Sequence, residues 1–411
     1  MKTLIVSIPF FSSNMSVVAY RLNTRGGEKL LGMMDNYTPP RDAVLSPGLD
    51  LVKSLGIEPL AGEFPLFVDI NEYHLLMGVP LTLGLPPEKL ICILPNNIKP
   101  DEPVLDKCRE LHESGYHIAV DGLLDGHTSN PLFELIDSII VDTRDYTPEA
   151  KFIDAMKGLS QVKQIILSEI PDMENFNQLV GIENTLYSGR FYKQPITKGK
   201  TEISPVKINA LRLLNQINEE DFDLSNIADT IEHDPSLSIS LLRFINTVMP
   251  RKINSIRNAV AILGQKEVKR WATAALSIKL AEDRPSEITK VSLIRARFAE
   301  NLAPSFEMGG VAPSLFMMGL FSLLDIILEK PMKDAAKEVA LDEQVKDALV
   351  NNSGDFYKVL EFIFAYERAN WDAVAIKMVQ NNLKLEEIIT AFVDALVWYK
   401  ALLDAIGEDS Q

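Results

Sequence analysis

Residues 116–142, YHIAVDGLLDGHTSNPLFELIDSIIVD, decide the fold. Two short runs rich in β-branched residues, Tyr116–Asp121 and Asp137–Asp142, each close on an aspartate. Helical patterns flank them at Glu102–Ser114 and Pro148–Lys157. Strands separated by helical crossovers pair in parallel, with helices outside the sheet. The same texture recurs at Leu4–Ile8, Ser16–Leu22, Pro65–Ile70, Lys89–Leu94 and Lys163–Glu169. So many units favour a closed β/α barrel over an open sheet.

Near Phe191 the texture changes. The segment FYKQPITKGKTEISP is read as the last extended run followed by a polar connector, and the domain boundary falls between Lys198 and Ile203. The expected domains are 1–198, a β/α barrel, and 203–411, all helix. In the latter, Leu237, Leu241, Ile245 and Val248 mark one face of a helix that starts at Pro235, and Gly264 stops the next.

Composition narrows the function. The net charge of −16 comes without any cluster of Lys and Arg, which argues against nucleic acid and anionic membrane as partners. Cys92 and Cys108 are the only cysteines, consistent with a reducing compartment. IVSI at the N-terminus reads as a first strand, and Leu315–Leu328, short and carrying Asp325, as a core helix. A cytoplasmic protein is expected.

Asp69, Asp121, Asp142 and Glu169 each fall at or beside the C-terminal end of a strand. In a β/α barrel those ends converge on one mouth, where carboxylates could hold Mg²⁺ or Mn²⁺. The competing reading makes each a local loop or cap residue. His74, His112, His117 and His127 show no metal-ligand spacing, and Trp271, Trp371 and Trp398 read as helix packing.

The succession VVAYRLNTR, FVDI, GYHIAVDG, IIVD and LSE resembles an EAL domain. That resemblance implies a barrel that hydrolyses the bacterial second messenger cyclic di-GMP with divalent metals. DPSLSISLLRFINTV, INSIRNAVAILG and GLFSLLDIIL resemble an HDOD domain, a helical relative of HD phosphohydrolases without their metal site. The departures matter most. The family's signature Glu aligns with Arg21, a ligand Asn with Asp69, and two acidic positions with Cys92 and Pro95. The Asp pair survives as Asp121 followed by Gly122, and the lysine that activates water falls at Ile140. Glu169 keeps its place, while a following Glu becomes Asp172 and a late Gln becomes Ser188.

Two-metal hydrolysis needs ions about 3.5–4 Å apart, held by bridging carboxylates. Arg21 instead puts a permanent cation where a metal should sit. The resemblance therefore implies a pseudo-enzyme that works through protein–protein interaction, with the HDOD domain as docking platform. Two alternatives stay open. One is a cyclic di-GMP receptor using Arg25, which matches the arginine after the signature motif. The other is a weak phosphodiesterase with a metal on Asp69, Asp121, Asp142 and Glu169. His233-Asp234 is no HD site: Asp234 reads as the cap of the helix at Pro235, and no other His follows Lys198.

Overall fold

The computed structural model describes residues 3–26, 47–124, 129–146, 149–197, 199, 202–218, 224–233, 235–249 and 252–406. Lys198, Asp234 and His127 lie outside the described residues. The chain divides into two compact units: 1–194 with 366–375, and 195–365 with 376–411.

The first unit is a closed eight-stranded barrel in the order of the chain. Its strands are β1 Thr3–Phe11, β2 Val17–Gly26, β3 Leu66–Asp69, β4 Leu90–Pro95, β5 His117–Asp121, β6 Ser138–Asp142, β7 Gln164–Ile170 and β8 Thr185–Gly189. From β2 to β8 all neighbours are parallel, as expected. β1 departs from the expectation: it runs antiparallel to both β2 and β8. The reason is the length of the link. Residues 12–16 make a tight turn, closed by Ser12 N donating to Ser16 O at 2.9 Å, and a parallel crossover needs a dozen residues or more.

β8 also corrects the sequence reading. TLYSG is short, with a single clearly apolar aliphatic residue, whereas the segment read as extended opens on the turn Phe191–Lys193. Gly189 is required there: a Cβ would strike the Ile170 backbone, where β7 bulges between Leu167 and Ile170. Inside the barrel, Phe10, Ala19, Phe67, Ile91, Ile93, Ala119, Ile140 and Ile166 pack with Leu186, so every strand contributes to one filled layer. Four longer helices follow strands outside it: α1 Pro47–Leu55, α2 Glu102–Glu113, α3 Ala150–Ser160 and α4 Met173–Leu179.

The second unit is helical. From residue 205 on, the helices include α5 Pro205–Asn218, α6 Leu224–Glu232, α7 Pro235–Val248, α8 Ile256–Leu280, α9 Ser286–Leu302, α10 Ala312–Leu320, α11 Leu324–Leu328, α12 Gly354–Glu367, α13 Trp371–Gln380 and α14 Leu385–Ile406. Leu237, Leu241 and Ile245 are buried as their spacing requires. Gly264, with φ 77° and ψ 164°, breaks α8 where the sequence places a stop. α9 and α10 cross closely because Gly319 lies against the Arg295–Ala296 backbone. Gly309–Leu328 is apolar and long enough to cross a membrane, yet 72% of it is buried within the fold. It is also divided among short helical pieces that include α10 and α11. Asp325 of α11 accepts the Ile196 N–H at 3.0 Å, tying the start of the connector to this unit. Burial raises the Asp325 carboxyl above its ordinary value, against the pull of that N–H.

One segment within the stretch expected as the helical domain, 203–411, has its contacts elsewhere. Residues 366–375 cluster with the barrel, and Trp371 donates its indole N–H to Asn23 of β2 at 2.9 Å. Trp271 and Trp398 do pack helices, against Phe244 and Phe316.

Candidate functional site

Strand alternation decides which side chains reach the mouth. Ala19, Phe67, Ala119 and Ile140 face the interior. Residues two further along their strands, Arg21, Asp69, Asp121 and Asp142, share that face. Arg21 lies between two of the acids: its Nη2 is 2.7 Å from Asp69 Oδ1 and 2.7 Å from Asp121 Oδ2. One guanidinium thus braces β2, β3 and β5, in a geometry suited to two carboxylates at once.

Burial opposes the charge on Arg21, but Asp69 and Asp121 outweigh it and hold the guanidinium protonated. Asp69 keeps half of its side-chain surface in contact with solvent. The crowded mouth nevertheless pushes its carboxyl above the ordinary range, with Arg21 pulling back only part of the way. Asp142 behaves in the opposite sense. Burial pushes it up, and hydrogen bonds from the Arg144 side chain and backbone outweigh that and lower it. Arg144 Nη2 sits 2.6 Å from Asp142, and its Nη1 lies 3.9 Å from Glu169. Glu169 itself holds a left-handed φ of 61° in the β7 bulge, a strained conformation for a residue with a side chain.

The four predicted acids therefore occur as two arginine-capped pairs. Arg21 stands out in the sequence and Arg144 does not, although its place two residues after Asp142, past the strand end, is the available signal. Arg25 lies four residues beyond Arg21 on β2, opposite Leu4, and is half-buried.

The described residues at the mouth do not fit a divalent ion. Among the described residues no group of three or more His, Cys, Asp or Glu could hold a metal. A dication about 4 Å from Arg21 would meet a repulsion of about 8 kcal/mol at an effective dielectric of about 20. The other departures from the EAL pattern also have local structural counterparts. Gly122 holds a φ of 102°, which side chains rarely adopt, and a Cβ there would have to displace the Asn96 amide. Ile140 belongs to the filled interior layer. Ser188 donates to the Pro9 carbonyl at 2.8 Å. Asp172 caps α4 through Asn175 N at 2.9 Å. Cys92 does not reach the interior at all: it alternates with Ile91 and Ile93, and burial, with Cys108 nearby, pushes its thiol up to about 12. His112 and His117 lie 3.2 Å and 3.5 Å from Asp137, a pairing the sequence reading does not anticipate.

The helical unit offers a cavity of about 730 Å³ lined by α8, α9 and α14. Its floor is the Glu300 carboxylate, 7% exposed, gripped by Arg270 and Arg297. Glu386, Thr390 and Asp394 of α14 form one wall.

Comparison with known proteins bears on both halves. Residues 204–352 match the HDOD domain family. The uncharacterized protein YuxH of Bacillus subtilis is 29% identical over 422 residues, spanning 98% of this chain and all of that protein. The cyclic di-GMP phosphodiesterase CdgJ of Vibrio cholerae is 22% identical over 401 residues, 96% of this chain and 92% of its own. Among solved structures, an EAL domain protein from Listeria monocytogenes covers 47% of this chain and 88% of itself. It does so at 14% identity and a TM-score of 0.37. After the eight-stranded barrel in sequence, the chain carries an HDOD domain at residues 204–352.

Proposed function

We propose that this is a non-catalytic bacterial signal-transduction protein of the cytoplasm. It acts through protein–protein contacts in or near cyclic di-GMP signalling, with the HDOD half as the docking platform. The observation that carries the reading is Arg21 wedged between Asp69 and Asp121, 2.7 Å from each. A fixed cation holds together the carboxylates that a metal would otherwise bridge. The likeness to CdgJ, named for its action on cyclic di-GMP, and the EAL-like order of motifs support the signalling context.

The test is calorimetric titration of the full-length protein with cyclic di-GMP, with and without Mg²⁺ or Mn²⁺, alongside a turnover assay. The expected result is no metal-dependent turnover. Arg21→Glu does not restore it, because Cys92 and Gly122 still supply no carboxylate and Ile140 remains in the core. Turnover that needs metal and disappears in Asp121→Ala would overturn the proposal.

One observation favours a second reading, binding of the dinucleotide without cleavage. Arg144 exposes 68% of its side chain at the mouth, so its guanidinium remains accessible to a phosphate. Metal-independent heat of binding that is lost in Arg144→Ala would select this reading over the first.

A further inference from the structure

Residues 366–375 come from far down the chain, yet they belong to the barrel unit, and their anchor points gather in one place. Trp371 Nε1 donates to Asn23 Oδ1 at 2.9 Å. Ile5 N donates to Tyr366 Oη at 3.3 Å. Lys193 Nζ pairs with Glu367 at 3.4 Å, and these side chains are only 15% and 14% exposed.

Strand register puts all three anchors at the mouth. Leu22 pairs with Val68, so Asn23 is one step further, level with Asp69. Ile5 lies opposite Thr24, the next residue of β2. Lys193 follows the C-terminal end of β8. Asn23 also sits midway between Arg21 and Arg25 and, by alternation, on their face of the strand.

The segment is held firmly. Tyr366 is fully buried and Trp371 nearly so, their rings edge to face with centroids 5.5 Å apart. Between them Ala369 adopts a φ of 50°, a left-handed conformation that its Cβ disfavours. Such a turn persists where its surroundings impose it. α12 runs into this turn and α13 runs out of it, and residues 354–365 and 376–380 of those helices belong to the helical unit.

We propose that residues 366–375 are a strap that couples the barrel mouth to α12 and α13. A ligand that draws on Arg21 or Arg25 displaces β2 and, with it, the acceptor that Asn23 presents to Trp371. Because coupling is reciprocal, a partner that reorders α12 and α13 changes the mouth by the same factor. The strap couples the two whatever the mouth binds, and a ligand-free protein suffices to test it.

The experiment is hydrogen exchange by mass spectrometry on the full-length protein and two variants, Asn23→Ala and Trp371→Phe. Asn23→Ala is expected to accelerate exchange on the order of tenfold in residues 354–365 and 376–380, within the usual span of coupling between sites. Trp371→Phe does the reciprocal in β1 and β2, while α9 and α10 keep their protection in both variants. Acceleration that stops at Ala375, or that spreads evenly over the whole chain, overturns the strap. Should Trp371→Phe fail to fold, the Asn23→Ala arm decides alone.

Discussion

Replacing Arg21 by Met keeps most of the side-chain bulk and removes the cation from the mouth. Two ion pairs at 2.7 Å disappear. Fully buried, each charge-assisted bond would contribute about 1.5–3 kcal/mol. Asp69 and Asp121 are 50% and 45% exposed, however, so solvent screens both. A discounted value of about 1 kcal/mol each is appropriate, at the top of the range for exposed pairs. The two carboxylates then face each other across the vacated space, adding about 1 kcal/mol of repulsion if they stand near 4 Å in water. The expected loss is therefore about 2–3 kcal/mol at pH 7, read from urea midpoints followed by circular dichroism. The pH dependence is a second signature. Burial already raises the Asp69 carboxyl in the native protein, and the variant lacks the arginine that pulls it back. A carboxyl raised in the folded state contributes stability that is fully present below its unfolded pKa and is lost as pH rises through the folded one. Acidification from pH 7 toward the ordinary carboxylate range should thus recover part of the loss in Arg21→Met, more than it gives the native protein. A loss below about 0.5 kcal/mol with no such slope would show that the brace is a surface pair of no energetic consequence.

Asp325 permits a cleaner separation of charge from hydrogen bonding. Its carboxyl is raised by burial, so its ionisation opposes folding at pH 7. Asp325→Asn, which keeps an acceptor for Ile196 N, should match or exceed the native thermal midpoint and lose the gain on acidification. Asp325→Ala, which orphans that N–H, should cost about 1–3 kcal/mol and speed proteolysis near residues 195–204. Gly319→Val should destabilise the helical unit by about 1–3 kcal/mol in urea unfolding, because a side chain there meets the backbone of Arg295 and Ala296. Glu300→Ala takes the shared carboxylate from Arg270 and Arg297, but Arg270 keeps Glu267 at 2.6 Å, so the cost should be about 1–3 kcal/mol, whereas Asp355→Ala, in an exposed pair, should change the urea midpoint little.

The barrel was legible where strands are buried on both faces. IIVD and HIAV carry continuous apolar runs, because helices cover the outside and the filled layer lies inside. It was illegible where that cause is missing. TLYSG is brief, ends in a glycine required by a close backbone approach, and shows too little pattern to count as a strand. The reversal of β1 lies in the length of one turn, which periodicity does not register. At the mouth, Asp69, Asp121 and Asp142 were readable as strand-end acids, and Arg21 as their neighbour. Arg144 was not, because a basic residue in a loop resembles any solvated side chain. The strap was invisible for a different reason. Asn23 and Trp371 are 348 residues apart, and no local propensity encodes a contact at that separation.

Residues 1–194 contain no tryptophan. The barrel unit's one indole, Trp371, arrives from the other end of the chain, with its N–H given to Asn23 and only 8% of its surface exposed. Trp271 and Trp398 lie in the helical unit. A protein carrying phenylalanine at those two positions would emit from a single chromophore, seated beside the strand that bears Arg21. Its wavelength would report whether the amide at Asn23 still accepts its proton, and its quenching by iodide whether that side of the mouth has opened. The chain thus carries its own optical gauge of the barrel, in the half of the sequence where a spectroscopist would not look for it.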